Sequence, residues 1–193
     1  MEQPLLIGRD SSYSATSIAW GLGPGRRHEE SVSYVMVVMD RHRPVVLRPA
    51  RRQDAAAISR CVLRAYQHFV PRMGRPPAPM TDDYNQVVLR NTVWVADDGL
   101  GIQGVVELEE TDFGLLTKNM AVDPDFQKQG LGRRLLKQAE QLARDAGHDM
   151  LYIYISEAMV ENLVFYLDHG YEECERRLEQ GVYRRIYLRK ALC

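Results

Sequence analysis

The stretch "DPDFQKQGLGRRLL", Asp123 to Leu136, carries the residues best suited to chemistry. It follows an apolar segment ending in Val122 and opens a basic, helix-like run. Gly130 and Gly132 stand where that helix begins. A helix start aims unpaired backbone N–H groups and a partial positive charge at one point, which suits phosphate oxygens. Glycines there lack the Cβ that would hold a bulky diphosphate away. Glycine in a first helical turn costs up to about 1 kcal/mol against alanine, a cost that suggests a compensating use.

Other motifs fail on context. "GLGIQG", Gly99 to Gly104, spells a dinucleotide fingerprint, but "VVELEE" after it is strand-like, so it reads as a hairpin turn. With Val106 it also resembles a kinase glycine loop, and "DFG" occurs at Asp112 to Gly114. Only seven residues separate Gly104 from Asp112, too few for the lysine, glutamate and catalytic loop a kinase needs between them. "DPDFQK" spaces its acids like a calcium loop, but Lys128 stands where glycine is required and Pro124 stiffens its start. There is no "HExxH", and His28, His42, His68, His148 and His169 are scattered, so no metal site is indicated.

The elements that must hold the loop can be read from periodicity. Residues 1–43 are rich in Ser, Gly and Arg without a sustained period and read as a poorly ordered leader. Met39 is an alternative start. From residue 44 onward roughly 150 residues remain, the size of one compact domain. "VVLRP" reads as a strand, and Ile58, Val62, Tyr66 and Phe69 lie at helical spacing in the segment after it. "PRMGRPPAPM" is a proline-broken loop, and "TDDYNQVVLR" a short helix capped by Thr81 or Asp82. "TVWVAD", "GVVELEE" and "LLTKNMAV" form a three-stranded meander. A helix from Gln129 to Ala146 buries Leu131, Leu135, Ala139 and Leu142 and stops at Gly147. "MLYIYIS" reads as a central strand covered on both faces, and "EAMVENLVFYLDH" as a helix ended by Gly170. "YEECERR" and "YRRIYLRK" make the last strands, joined by a turn at Gln180 and Gly181.

Composition narrows the partners. The 193-residue chain has a formal net charge of −1, so no basic surplus is available to hold nucleic acid. Cys61, Cys174 and Cys193 are odd in number and unclustered, which indicates neither a disulfide framework nor a zinc site and fits a reducing cytoplasm. The apolar run "YVMVVM", Tyr34 to Met39, is six residues, far short of the roughly 18 that span a membrane. No secretory signal brackets it.

Taken with this element order, the loop resembles the acetyl-CoA signature of the GNAT N-acetyltransferases, Q/R-x-x-G-x-G/A. Gln127, Gly130 and Gly132 match it directly after "NMAVDP". Residues 44 to about 190 follow the family's order of strand, two helices, three antiparallel strands, signature helix, strand, helix and terminal strands. Further matches are "PAPM" in the early loop, Met159, Glu161, Asn162 and Tyr166 in the last helix, and Gly170 and Tyr171 after it.

The resemblance implies an α/β (α+β) fold with a mixed, mostly antiparallel sheet of six to seven strands and about four helices. Two central parallel strands, "LLTKNMAV" and "MLYIYIS", would splay to admit the pantetheine arm of acetyl-CoA. It places Met120, Ala121 and Val122 along that arm, and the backbone of Gln127, Lys128, Gln129, Gly130, Leu131, Gly132 and Arg133 around the diphosphate. Lys128, Arg133 or Arg134 could meet the ribose phosphate, and Asn162 either the cofactor or local backbone. Tyr166 stands where the family often carries a general acid. Either Glu107 or Glu109 could deprotonate the amine, since i and i+2 share a strand face. The acceptor would be a small-molecule or peptide amine, and a homodimer is compatible. In this family, the segments near Tyr66 to Tyr84 and Arg176 to Tyr183 shape the acceptor pocket, and the charge of the "FVPRMGRPPAPM" loop does not select among polyamines, amino acids, antibiotics and peptide termini. A module that binds acyl-CoA without turnover, as a sensor, is the competing reading.

Overall fold

The computed structural model describes residues 44–179 and 183–192. The expected leader, Met39, the Gln180–Gly181 turn, His28, His42 and Cys193 lie outside them.

Seven strands form one sheet in the order β1-β2-β3-β4-β5-β7-β6. They are β1 (Val46–Pro49), β2 (Thr92–Asp97), β3 (Ile102–Thr111), β4 (Gly114–Val122), β5 (Met150–Ser156), β6 (Glu172–Glu179) and β7 (Tyr183–Ala191). Every neighbouring pair is antiparallel except β4–β5. The helices are α1 (Ala55–Tyr66), the single turn α2 (Val70–Met73), α3 (Tyr84–Arg90), α4 (Leu131–Asp145) and α5 (Val160–Asp168). This is the expected mixed, mostly antiparallel architecture. The glycines of "GLGIQG" lie in the β2–β3 turn and at the start of β3, as the hairpin reading requires.

Two apolar layers cover the sheet. One gathers Val106, Leu108, Leu115, Leu135, Ala139, Ile153 and Tyr166, beneath α4 and α5. The other gathers Ile58, Val62, Tyr66, Tyr84, Val95, Val105 and Ala121, beneath α1 and α3. Strand alternation sends consecutive residues of β3 and β4 to opposite layers. Gly104 lets α4 come close to the sheet, because a Cβ there would sit 2.9 Å from Leu135 Cδ1 and 3.2 Å from the Ala121 carbonyl.

Both long site helices end in the same way. At Gly147 (φ +85°) and Gly170 (φ +83°) the chain turns left-handed. His148 N–H then donates to Ala143 O and Gly147 N–H to Arg144 O. Likewise Tyr171 N–H donates to Tyr166 O and Gly170 N–H to Leu167 O, the paired bonds of a Schellman stop. Its usual apolar contact is present too, with the Tyr166 and Tyr171 rings 5.7 Å apart.

Three details differ from expectation. The proline-broken loop folds locally into α2 and a 3-10 turn at Ala78–Met80, since Pro71 and Pro79 occupy first-turn positions where no N–H is needed. The cap of α3 is Asp83, whose carboxylate accepts from Asn85 N–H at 3.0 Å, rather than Thr81 or Asp82. In β5 only alternate residues are fully buried, because its other face is left partly open beside a cavity. Among the described residues no helix is long and apolar enough to cross a membrane.

Candidate active site

The site begins at a fork. β4 and β5 pair in parallel at Leu115–Leu151, Leu116–Tyr152 and Thr117–Ile153, and no further. On the other side of β4 the register with β3 runs Glu107–Asn119 and then Leu108–Thr117, leaving Lys118 as an extra residue. Such a bulge bends its strand and interrupts the ladder. It falls one residue past the last parallel pair, so β4 turns from β5 there and their facing backbone groups lose each other as partners.

A cavity of about 410 Å³ occupies the opening. Thr117 to Met120 and Ile153 to Ser156 form its forked walls, α5 contributes Asn162 and Tyr166, and α1 contributes Tyr66. The Thr117 hydroxyl oxygen is buried here with no hydrogen-bond partner among the described residues. Tyr166 is buried against the rings of Phe165 and Tyr171. Burial pushes its phenol well above the ordinary value near 10.

The floor on the α1 side is polar and connected. Tyr66 Oη donates to Asn119 Oδ1 at 2.9 Å, Asn119 Nδ2 donates to Tyr84 Oη at 3.0 Å, and Tyr84 Oη donates to the Pro79 carbonyl at 2.9 Å. Burial raises both tyrosines' pKa values, so each stays a donor. Glu107 lies cross-strand to Asn119 and is fully buried. One of its oxygens accepts from Asn91 Nδ2 at 2.6 Å while the other has no partner among the described residues. Burial, the largest influence, raises its pKa. Glu109 is half-exposed and pairs with Lys118 at 3.1 Å. Neither glutamate lines the cavity wall. At the rim, Arg72 of α2 grips Glu161 of α5 with two bonds of 2.9 and 2.7 Å.

The signature loop lies past the end of β4. Gln127 N–H makes a long bond to the Pro124 carbonyl, 3.4 Å, and its side chain donates to Val122 O at 2.9 Å. Lys128 then adopts φ +60° and Gly130 φ +81°, two left-handed residues that fold the chain back onto α4. The first amide with a helix-type partner is that of Arg134, to Gly130 O. The amides from Gly130 to Arg133 are therefore the orphan donors of this helix start, and among the described residues those of Lys128 and Gln129 have no backbone partner either. Lys128, Gln129, Gly130 and Arg133 are exposed and Leu131 is in the core. Arg134 is engaged elsewhere, on the Val45 carbonyl at 2.7 Å.

The two glycines differ. A Cβ on Gly130 would meet open space but a strained backbone, whereas one on Gly132 would touch the Phe165 ring at 3.6 Å and Val122 at 3.9 Å. Gly132 thus faces Phe165 of α5 and Val122. Of the other expected cofactor contacts, Met120 and Asn162 line the cavity, Ala121 is buried toward α1, and Val122 packs beside α4. Thr117, Asn119 and Tyr154 of the cavity wall belong to no motif in the sequence. The signal for Asn119 was a polar residue in mid-strand of "LLTKNMAV".

A sequence profile described as "Acetyltransferase (GNAT) domain" matches residues 90–173. No curated protein sequence matches the chain significantly. Among solved structures, a putative GNAT-family acetyltransferase from Desulfovibrio desulfuricans aligns with TM-score 0.65 at 20% identity, over 78% of this chain and all of that one. The ribosomal-protein-S18-alanine N-acetyltransferase of Escherichia coli aligns with TM-score 0.62 at 20% identity, over 77% of this chain and 94% of that one. The PaiA N-acetyltransferase of Thermoplasma acidophilum, in complex with coenzyme A, aligns with TM-score 0.65 at 13% identity, over 77% and 99%. Residues 90–173 thus match the GNAT acetyltransferase domain, and the fold is that of the GNAT acetyltransferase structures.

Proposed function

We propose that the protein is an acetyl-CoA-dependent N-acetyltransferase that moves an acetyl group to a primary amine by direct attack in a ternary complex, with Tyr166 as general acid. The observation that carries this reading is the parting of β4 and β5 after Thr117–Ile153, over a cavity that also receives Tyr166. A splayed strand offers an extended arm the backbone partners it would find in a sheet. The amides from Lys128 to Arg133 give a diphosphate its cradle at one end of that arm. The Thermoplasma relative with coenzyme A bound supports the same assignment of donor.

The chemistry is a balanced acyl exchange. The amine nitrogen forms a bond to the thioester carbon, charge gathers on the carbonyl oxygen, and the carbon–sulfur bond breaks as the carbonyl re-forms. A β4 amide beyond the bulge can stabilise that oxygen. The amine proton goes to Glu107 or Glu109 through bridging water, since neither lines the cavity, and the departing thiolate takes the Tyr166 proton. Burial keeps Tyr166 protonated throughout the physiological range.

Mixing acetyl-CoA with a broad panel of amines and following free thiol tests the reading. Amine-dependent thiol release is expected. Tight acetyl-CoA binding without release for any amine would instead identify a sensor module.

A further inference from the structure

A recess of about 190 Å³ beside the cavity is lined by Glu157, Arg176, Arg177, Leu178, Arg184 and Arg185, and it shares Glu157, Arg184 and Arg185 with the main cavity. The register puts Arg176 and Arg184 on one face of the β6–β7 hairpin and Arg177 and Arg185 on the other, and Arg176 is held by Glu173 with bonds of 2.6 and 2.9 Å. The sheet register makes the arrangement costly: Arg177 stands directly across from Arg185, a like-charge pair that destabilises two strands. Glu175 and Glu179 offset the repulsion with bonds of 2.6 to 2.8 Å to Arg177 and of 2.7 Å to Arg185. Aromatic faces hold the guanidiniums in place, with Arg185 Cζ 4.1 Å from the Tyr154 ring centre and Arg177 Cζ 5.2 Å from that of Tyr187. Tyr154 is itself a wall of the cavity, so the recess adjoins the fork on its β5 side. Arg184 is the most exposed of the four, 75% by side chain, and reaches only 3.9 Å from Glu157, which already accepts from Arg176 at 3.1 Å.

We infer that this recess is an anion subsite of the acceptor, so that the amine substrate carries a carboxylate or phosphate distant from its reacting nitrogen. The inference rests on the acetyltransferase reading. Preorganised guanidiniums bind carboxylate and phosphate oxygens by charge-assisted, often bidentate bonds. The main cavity adds a second reason: five basic residues line it (Arg72, Arg75, Lys118, Arg184 and Arg185) against the single acid Glu157, with Arg72, Lys118 and Arg185 paired to Glu161, Glu109 and Glu179 outside that lining. Like charges disfavour an ammonium and favour the neutral amine that attacks. A polyamine or aminoglycoside would bring more positive charge to that wall, whereas an anionic tail would be drawn past Tyr154 to Arg184.

The test uses the full chain and amines matched except at the far end: 6-aminohexanoate, hexylamine and 1,6-diaminohexane, with O-phosphoethanolamine against ethanolamine as the phosphate arm. The anionic members are expected to exceed their neutral and dicationic counterparts in kcat/KM by roughly tenfold or more, the effect of one well-placed charge-assisted bond. Arg184→Glu lowers kcat/KM for the anionic members more than for hexylamine, so that the preference is lost, and leaves acetyl-CoA affinity unchanged. Binding of N-acetyl-6-aminohexanoate in the presence of coenzyme A, measured by calorimetry, supplies a readout independent of turnover. Arg184-dependent anion binding without turnover of any amine would refute catalysis and leave the subsite standing. Turnover of hexylamine or 1,6-diaminohexane at or above that of 6-aminohexanoate, or indifference to Arg184→Glu, overturns the inference alone.

Discussion

Arg64 Nε in the last turn of α1 lies 2.7 Å from Asp123 Oδ2, while its Nη2 reaches Asp123 Oδ1 at 3.2 Å and Asp125 Oδ2 at 2.8 Å. Asp123 is the residue at which β4 gives way to the signature loop, and its carboxylate also accepts from Asp125 N–H. Two residues on from Arg64, Tyr66 reaches Asn119 and the Met120 carbonyl inside the fork. One helix end therefore holds both the splayed strand and the loop after it.

Arg64→Ala is expected to raise KM for acetyl-CoA several-fold with a smaller change in kcat, because the loop amides lose their anchor while Tyr166 keeps its place. Arg64 is half-exposed although Asp123 is buried, so high salt should reproduce part of the effect in the wild type. Steady-state kinetics at two ionic strengths check it. An unchanged KM would show that the loop holds its shape without this clamp.

The two signature glycines should respond oppositely to alanine. At Gly130, φ +81° costs a non-glycine residue about 1 kcal/mol, and the displaced turn would misdirect the amides, so both melting temperature and coenzyme A affinity fall. At Gly132 a methyl meets Phe165 at ordinary contact distance inside a helix, where alanine gains up to about 1 kcal/mol over glycine. Thermal melts and coenzyme A titrations of the two variants should therefore diverge. Equal losses would mean that both positions approach the ligand.

Much of this could be read from residues alone, because local rules and tertiary packing agree along most of the chain. The Leu131, Leu135, Ala139 stripe and the Gly147 stop specify α4, and alternating β-branched residues specify the meander. What escaped depends on register. That Lys118 is a bulge follows from the pairing of β3 with β4, which no single strand encodes. The meeting of Tyr66, Asn119 and Tyr84 joins three elements far apart in sequence. The opposition of Arg177 and Arg185 needs the hairpin register, and the facing of Gly132 toward Phe165 needs the α4–α5 packing. The Asp83 cap lay one residue past the assigned candidates because "TDD" offers three acceptable caps in a row.

Glu107 makes a pH prediction. Its burial raises the folded-state pKa above the unfolded value near 4.5, so the folded state binds this proton more tightly. The stability it contributes is then complete below pH 4.5 and is lost as pH rises through the raised folded value. Each unit of upward shift corresponds to about 1.4 kcal/mol. Glu107→Gln keeps the bond from Asn91 without a buried charge and should melt higher than wild type at pH 8, with the gap closing toward pH 4.5. A variant less stable than wild type at pH 8 would mean that the carboxylate is stabilised after all, with Lys118 the nearest candidate cation. If Glu107 rather than Glu109 is the base, the same variant also loses kcat/KM and the acid limb of its pH profile.

Tyr166 offers the sharpest separation of chemistry from structure. Among the described residues nothing hydrogen-bonds its hydroxyl, and its ring is held at 5.3 Å by Phe165 and 5.7 Å by Tyr171. Tyr166→Phe keeps that packing and leaves no partner stranded, so melting temperature and acetyl-CoA affinity should hold. General acids contribute on the order of 10²–10⁴ in rate, and kcat should fall by that amount. Phenylalanine cannot protonate the leaving thiolate, so acceptors attacking the same thioester should all lose rate by a similar factor. If kcat survives with binding intact, the proton comes from water entering the fork, and the hydroxyl of Tyr166 serves only to solvate the sulfur.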